Sequence, residues 1–344
     1  MRVGILTGGG DCPGLNAVLR GFVLRHSQRG HETLGFEGGW KGVLENRARP
    51  LTTEDVADLW NVGGTVLGTS RTNPYKVDGG VAKLRATWEA CGLGALVAIG
   101  GEDTLGVATK LADEDFAVIG VPKTIDNDLS GTDYTFGFDT AINIAAEAID
   151  RLHTTARSHG RVLVCEVMGR HAGWIGAYAG LAGGAHVTLL PEFEIDVEAL
   201  CRVVAERRKS AAGYSIVVVS EGAILPAAKG AGVATVAEGT DAFGHVRLGG
   251  IAQRLAERIE QATGVETRAV VLGHIQRGGA PSAYDRVLAT RFGVRAADLV
   301  HERRFGVMVA LKGTAITEVP LSEATGTLKT VPAAFYEMVQ GVSG

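Results

Sequence analysis

Short apolar runs, many of them rich in β-branched residues, recur along the chain, and most are followed by a turn and a segment with helical spacing. Residues 3–6 lead into three glycines and a helical stretch at 15–26, and residues 93–99 lead into two glycines and a helix through about residue 111. Four more runs end in turns with glycine or polar residues, at 116–121, 161–168, 214–219 and 267–272. Strands that alternate with helices predict parallel sheets covered by helices.

One sheet would be crowded by this many strands. We therefore predict an α/β fold of two doubly wound, Rossmann-like lobes with mainly parallel sheets and an active-site cleft between them. Residues 224–241 are weakly patterned and contain glycine, alanine and proline, so we expect a surface excursion there.

Composition narrows the classes of function. The chain has 344 residues, enough for one large α/β unit or two domains, and its net charge of −4 argues against a nucleic-acid partner. Its four cysteines lie far apart without a CxxC pair, so we predict neither a zinc site nor a disulfide framework but reduced thiols and a cytoplasmic location. The first residues read as a strand and not as a signal peptide, and no apolar run is long enough for a membrane span.

The most informative polar cluster follows the apolar run at 116–121. Lys123, Thr124, Asp126 and Asp128 come together where that predicted strand ends. Ligands of parallel α/β sheets lie outside the carboxyl ends of the strands. A carboxylate there can take a proton from an alcohol, and a nearby lysine can neutralise a phosphate. The alternative is a polar turn with two solvated aspartates.

Two glycine-rich turns predict anion sites. The turn at 8–11 places several N–H groups at a helix start, yet Pro13 breaks the dinucleotide fingerprint and no P-loop lysine follows. The turn at 100–104 contains Glu102 and Asp103, which are either acids placed for the helix dipole or acids that share a Mg²⁺ ion with a phosphate.

Arginines flank several strand ends and turns. Any one of them is explained by a surface ion pair, but several at strand edges of an acidic chain indicate two phosphate-bearing ligands. These arginines are Arg71, Arg161, Arg170, Arg268 and Arg277. We interpret His274 as a ligand contact and His171 as structural.

Together these motifs resemble the phosphofructokinases of the bacterial type. The matching stretches occur in the family's order, and the last of them is long and specific; they are residues 8–16, 100–104, 122–128, 168–173, 220–222 and 268–286. The resemblance extends from residue 1 to roughly residue 330.

The resemblance implies phosphoryl transfer to the 1-hydroxyl of fructose 6-phosphate. It makes Asp126 the general base, supported by Asp128, with Lys123 at the transferred group. Arg268, His274 and Arg277 would bind the 6-phosphate side of the sugar. The other substrate-binding residues would be Thr124, Ile125, Asp126, Met168, Gly169, Arg170, Glu221, Ile275 and Gln276. The phosphoryl donor would be held by Gly10, Arg71, Gly101, Asp103, Thr104 and Lys123.

The resemblance also implies a cofactor and an assembly. Glu102 occupies the position of the family's magnesium-linked acid, where ATP-using members usually have aspartate. The family forms homotetramers or homodimers, and Arg161 would reach into a neighbouring subunit's sugar site. We expect residues 1–137 plus about 276–326 to form the larger, donor-binding lobe, and 138–275 plus about 327–344 to form the smaller, sugar-binding lobe.

Two positions identify the donor. Many ATP-dependent members have glycine at the positions of Asp103 and Lys123, and this pair resembles the pyrophosphate-dependent members. Asp103 adds bulk and negative charge where the α-phosphate of a nucleotide would pass. Lys123 alone is a weaker signal, since some ATP-using relatives carry it. We therefore predict reversible transfer from pyrophosphate in glycolysis or gluconeogenesis.

Other functions are weighed against this prediction. The nearest is an ATP-dependent phosphofructokinase, which Asp103 disfavours. A non-catalytic nucleotide or sugar-phosphate sensor would be expected to have lost Asp126, Asp128 or Arg170. A nicotinamide-linked oxidoreductase would need the dinucleotide fingerprint. Other sugar phosphates, such as sedoheptulose 7-phosphate, stay open as substrates.

Overall fold

The computed structural model describes residues 1–210, 213–226 and 249–343, so most of the predicted excursion, at 227–241, lies outside the described residues. The strands are β1 (Arg2–Thr7), β2 (Glu32–Phe36), β3 (Ala48–Leu51), β4 (Leu93–Gly100), β5 (Val118–Pro122), β6 (Val162–Val167), β7 (Val187–Leu189), β8 (Ser215–Ser220), β9 (Thr267–Val271), β10 (Val307–Lys312) and β11 (Ala315–Pro320). The helices are α1 (Leu15–Ser27), α2 (Trp40–Leu44), α3 (Thr53–Val56), α4 (Gly80–Ala90), α5 (Glu102–Asp113), α6 (Phe138–His159), α7 (Trp174–Ala182), α8 (Val197–Lys209), α9 (Ile251–Thr263), α10 (Ala283–His301), α11 (Leu321–Thr325) and α12 (Ala333–Val342).

The chain forms two compact units, each assembled from separate stretches. The first unit comprises Met1–Ile125, Leu129–Thr140 and Arg277–Leu328, and the second comprises Asp126–Asp128, Ala141–Gln276 and Lys329–Gly344. Residues 126–128, which the sequence analysis placed in the first lobe, thus group with the second unit.

A seven-stranded sheet forms the centre of the first unit, in the order β11-β10-β5-β4-β1-β2-β3. Its five inner strands are parallel, and β3 and β11 are antiparallel edge strands. The chain proceeds from β1 to β2 on one side and returns to β4 on the other, so the crevice between β1 and β4 is a topological switch point. The turns that follow these two strands therefore occupy the expected ligand position.

Glycines let the helices of the first unit approach closely. A Cβ at Gly21 of α1 would lie 2.6 Å from the carbonyl oxygen of Thr290 in α10, and one at Gly293 of α10 would lie 2.3 Å from that of Val18. Because both separations are too short for a Cβ, larger residues would force α1 and α10 apart. Strand β4 lies inside the sheet, and nearly all of its residues are apolar and buried, as expected for a parallel strand with helices on both faces of its sheet.

A four-stranded parallel sheet forms the centre of the second unit, in the order β7-β8-β6-β9. Apolar side chains of these strands pack against α8 and α9. The carboxyl ends of β6, β8 and β9 lie side by side, because their registers are level. The predicted α/β fold of mainly parallel, doubly wound sheets is confirmed.

Among the described residues, no helix has both the length and the apolar character needed to cross a lipid bilayer.

Candidate active site

The glycine-rich turn after β1 is held tightly against the end of β4. Gly8 N–H donates to the carbonyl oxygen of Ile99 at 2.9 Å. The side chain of Thr104 is 2% exposed and fills the space beside Gly8 and Gly100. A Cβ would lie 2.5 Å from Thr104 Oγ1 at Gly8 and 2.6 Å at Gly100, so only glycine fits at these positions. The two predicted anion turns are thus packed against each other through one threonine.

Lys123 comes to this turn from the end of β5. Its backbone N–H donates to Gly100 O at 2.9 Å, and its Nζ donates to Gly10 O at 2.5 Å. The side chain is only 4% exposed. The ammonium group is therefore held at the glycine turn, where it can stabilise an anion.

Arginines lie on the same turn. Arg277 Nη1 donates to Asp11 O at 3.2 Å, and a Cβ at Gly10 would lie 2.9 Å from the same nitrogen. The stretch that carries the exposed Arg71 is attached there as well, since Gly9 N–H donates to Ser70 O at 3.3 Å. The sequence analysis assigned Arg277 to the 6-phosphate of the sugar, whereas the structure places its guanidinium beside the donor turn.

Glu102 and Asp103 form the first turn of α5, and both are exposed. Acidic residues at this end of a helix are favoured by its dipole, so neither disturbs the fold. Mg²⁺ in phosphoryl transfer uses one or two carboxylates together with substrate oxygens, and an exposed carboxylate next to the glycine turn fits that pattern. Within the described ranges, no group of three or more His, Cys, Asp or Glu side chains could hold a metal by itself.

Behind the turn lies a buried polar group that the sequence analysis did not single out. Asp285, in the first turn of α10, is fully buried, and its Oδ2 accepts hydrogen bonds from Thr140 N at 2.8 Å and Thr140 Oγ1 at 2.5 Å. Burial raises the pKa of Asp285 to about 6, against these hydrogen bonds. The carboxylate anchors the start of α6. Its signal in the sequence was its place inside the matched stretch at 268–286.

The predicted base lies in residues 126–128, directly after β5. Asp126 and Asp128 are half-buried, whereas Asn127 is 3% exposed and has a left-handed backbone with φ of 52°. Thr124 is 9% exposed. Ile125, predicted to contact the sugar, is completely buried and presents no exposed surface to a ligand.

In the second unit, the turns that follow β6 and β8 are hydrogen-bonded to each other. Glu221 N–H donates to Val167 O at 2.8 Å, and Gly222 N–H donates to Gly169 O at 3.0 Å. A Cβ at Gly222 would lie 1.8 Å from Arg170 O, so glycine is required for this approach. The structure thus brings the sugar residues predicted at the end of β6, namely Met168, Gly169 and Arg170, together with Glu221.

The turn after β9 adds residues from the matched stretch at 268–286. Gln276 is fully buried; its Oε1 accepts from Met168 N–H at 3.4 Å and its Nε2 donates to Gly273 O at 3.1 Å. These contacts tie the turn to Met168, so the role of the Gln276 side chain is to position this turn. His274 and Ile275 are exposed on it.

The remaining two arginines lie at the other end of this sheet. Arg161 Nε and Arg268 Nη2 both donate to Glu266, at 2.8 and 2.7 Å. They stand at the amino ends of β6 and β9, whereas Met168 and His274 follow the carboxyl ends, after a length of extended strand of roughly 20 Å. Arg268 and His274, which the resemblance assigns to the same side of the sugar, lie at opposite ends of β9 in this chain.

A model of the family described as phosphofructokinase matches residues 2–300. The chain belongs to the phosphofructokinase family. The resemblance inferred from the motifs is thereby confirmed. This phosphofructokinase is 60% identical over 338 residues to a pyrophosphate–fructose 6-phosphate 1-phosphotransferase from Amycolatopsis methanolica, with 98% of each chain covered. It is 52% identical over 340 residues to an ATP-dependent 6-phosphofructokinase from Mycobacterium bovis, again with 98% of each chain covered.

A solved structure gives the same picture of the fold. The crystal structure of a pyrophosphate-dependent phosphofructokinase from Marinobacter aquaeolei matches this phosphofructokinase with a TM-score of 0.81 at 26% identity. The match covers 97% of this chain and 86% of that chain.

Proposed function

We propose that this phosphofructokinase transfers a phosphoryl group from pyrophosphate to the 1-hydroxyl of fructose 6-phosphate and runs in both directions, in glycolysis or gluconeogenesis. The observation that carries the proposal is the donor turn, where buried Lys123 contacts Gly10 and Asp103 lies in the first turn of the adjoining helix. The relatives from Amycolatopsis and Marinobacter, whose names specify pyrophosphate, support it.

The chemistry assigns distinct tasks to neighbouring residues. Asp126 accepts the proton of the sugar's 1-hydroxyl, and the resulting oxygen nucleophile forms a bond to the terminal phosphorus of pyrophosphate. The bond from that phosphorus to the bridging oxygen breaks, and inorganic phosphate leaves. Lys123 stabilises the negative charge on the transferred group and on the leaving phosphate. Asp128 supports Asp126. In the reverse direction Asp126 returns the proton.

Donor choice depends on Asp103. Its side chain adds bulk and negative charge where the α-phosphate of a nucleotide would pass, which disfavours ATP. Pyrophosphate ends before that point. The relative from Mycobacterium bovis, whose name specifies ATP, makes ATP the second candidate donor, and the choice is therefore tested directly.

Glu102 would hold the magnesium ion together with oxygens of the donor. When bound, Mg²⁺ neutralises charge on the phosphates. The donor itself is held by Gly10, Arg71, Gly101 and Thr104, with Arg277 adjoining.

The sugar is held by Thr124, Met168, Gly169, Arg170, Glu221 and His274. Because Arg161 and Arg268 lie at the opposite end of their sheet, we assign both to the 6-phosphate in a neighbouring copy, which makes the enzyme a homodimer or homotetramer. The cytoplasmic location is part of the same proposal.

The test is turnover of fructose 6-phosphate with Mg²⁺ and either pyrophosphate or ATP. We expect kcat/KM for pyrophosphate to exceed that for ATP by on the order of 100-fold. Asp103→Gly should narrow this ratio by raising turnover with ATP, while Asp113→Gly, at the exposed far end of α5, should leave it unchanged. Turnover with ATP and none with pyrophosphate would overturn the donor assignment. Failure of both donors would favour a sensor.

A further inference from the structure

The base loop, residues 126–128, is held by a residue two hundred positions further along the chain. Lys329 N–H donates to Asp128 O at 2.8 Å, and Lys329 Nζ donates to Asn127 Oδ1 at 3.0 Å. One residue therefore contacts both the backbone and a side chain of the loop that carries the proposed base. No sequence motif includes Lys329.

The contact falls on the least regular residue of the loop. Asn127 has a φ of 52°, a left-handed conformation that asparagine tolerates better than most residues. This conformation sets the change of direction between Asp126 and Asp128. The side chain of Asn127 is almost completely buried, and the bond from Lys329 fixes its amide. The orientation of the two aspartates thus depends on a turn that Lys329 secures.

Lys329 is in turn fixed by Trp174, the first residue of α7. The indole Nε1 of Trp174 donates to Lys329 O at 2.7 Å, and the Lys329 ammonium lies 5.8 Å from the centre of the indole ring. Trp174 directly follows the predicted sugar turn at 169–173. A single residue therefore links this turn to the base loop.

A second contact secures the same segment. Glu192 Oε1 accepts from Gly173 N–H and from Val331 N–H, both at 2.9 Å. A Cβ at Gly173 would lie 2.8 Å from Glu192 Oε2, so a glycine is needed there. The strap 329–331 is thereby attached at both ends to the start of α7.

We propose that Lys329 is a positioning residue for phosphoryl transfer, which fixes the base loop relative to the sugar turn through Asn127, Asp128 and Trp174. The inference rests on the proposed function, because it takes Asp126 as the base. In this proposal Lys329 acts through its bonds to the base loop and to Trp174. Its loss should therefore misplace the base and leave substrate binding largely intact.

The first test is steady-state kinetics of Lys329→Met, which keeps the apolar stem but removes the ammonium. We expect kcat to fall about 10- to 100-fold with KM for either substrate changed less than about threefold, as for a displacement of a catalytic group by about 1 Å. Lys83→Met, at an exposed position of α4, is the control and should match the wild type. An unchanged kcat in Lys329→Met would overturn the proposal.

A double-mutant cycle tests the route. Asn127→Gly preserves the left-handed backbone but removes the partner of Lys329 Nζ. If Lys329 acts through this amide, the double variant should be no slower than the slower single variant. Multiplied losses would show that Lys329 acts independently of Asn127 and would contradict the proposed route.

Amide hydrogen exchange separates this inference from the proposed function. In the protein without substrates, Lys329→Met should speed exchange in peptides that cover residues 124–131, whereas Lys83→Met should not. Hydrogen exchange does not depend on catalytic activity. If the wild type fails to use pyrophosphate, the proposed function is wrong, but exchange still tests whether Lys329 fixes the base loop. Unchanged exchange at 124–131 would refute the positioning role.

Discussion

Lys123 and Asp126 are only three residues apart, yet their surroundings differ in the way their proposed tasks require. Lys123 is 4% exposed and bound to Gly10 O, so its charge has a fixed place. Asp126 is half-buried, which leaves room for an alcohol to approach. A fixed cation suits charge stabilisation, and an accessible carboxylate suits proton transfer.

Asp126→Asn tests the base directly. The amide keeps the shape of the side chain but cannot accept the proton, so kcat should fall by about 10² to 10⁴ while KM changes little. The measurement is initial rate with fructose 6-phosphate, pyrophosphate and Mg²⁺, with Asp78→Asn at an exposed position as the control. A nearly normal rate in Asp126→Asn would remove Asp126 as the base.

Single residues also mark where prediction from the sequence succeeded and where it stopped. The family resemblance assigned Lys123 and Gly10 to the same phosphoryl donor, and the two residues are in contact in the structure. Asp285 and Lys329 were missed because their partners lie far away in the sequence and no short motif contains both sides of the contact. Arg277 was grouped with His274 because both belong to one sequence motif. The motif does not reveal that the chain passes from the second unit to the first after Gln276.

At the scale of elements, long apolar strands were predictable and short or mixed ones were not. The predicted runs at 93–99 and 214–219 agree with β4 and β8 to within one residue. The sequence analysis did not predict β2, β3, β7, β10 or β11. Strand β3 has the sequence ARPL, whose arginine and proline interrupt the apolar pattern, and β7 has only three residues. Strand β10, with the sequence VMVALK, did carry an apolar signal.

The ends of α1 and α10 meet in a histidine cluster in the first unit. His26 is fully buried, and its Nδ1 lies 2.9 Å from His301 Nε2, with His31 next to both rings. Burial, together with the neighbouring His301, His31 and amino terminus, lowers the pKa of His26 to about 4. The folded state binds a proton at His26 less tightly than the unfolded state does. The contribution of neutral His26 to stability is therefore fully present above pH 6.5 and is lost as the pH falls towards 4.

We expect His26 to account for about 2 kcal/mol of lost unfolding free energy between pH 7.5 and pH 5.0. His26→Gln keeps a polar side chain but does not titrate, so its stability should depend less on pH by that amount. Urea unfolding at both pH values measures the effect, with exposed His159→Gln as the control. His186, whose pKa burial also lowers to about 4, contributes equally in all three proteins. Identical slopes for His26→Gln and wild type would contradict the assignment.

At the scale of the whole molecule, the chain enters each unit more than once. The stretch Arg277–Leu328 completes the first sheet with β10 and β11, and Lys329–Gly344 returns to the second unit. The contacts of these C-terminal segments join residues that are far apart in the sequence, so no local sequence pattern predicts them. Arg161 and Arg268 share Glu266 within the chain, and the binding role proposed for them requires a neighbouring copy.

Complementation between two inactive variants tests that neighbour. Asp126→Asn lacks the base but keeps Arg268, and Arg268→Ala lacks the arginine but keeps the base. When the two are co-expressed, about a quarter of the sites should combine an intact base with an intact neighbouring arginine, and activity should recover to about that fraction. Placing both substitutions in the same chain and mixing it with Asp126→Asn should restore nothing. Purified hybrid oligomers without recovery would exclude the shared site.

Cys12 lies inside the donor turn, yet it is completely buried, and Gly137 packs against its sulfur. Burial raises the pKa of this thiol to about 12, so the reactive thiolate is almost absent at neutral pH. Peroxide and alkylating reagents act on the thiolate and need access to it. Cys12 is therefore shielded from oxidation and alkylation, so such reagents should not modify the donor turn through this thiol.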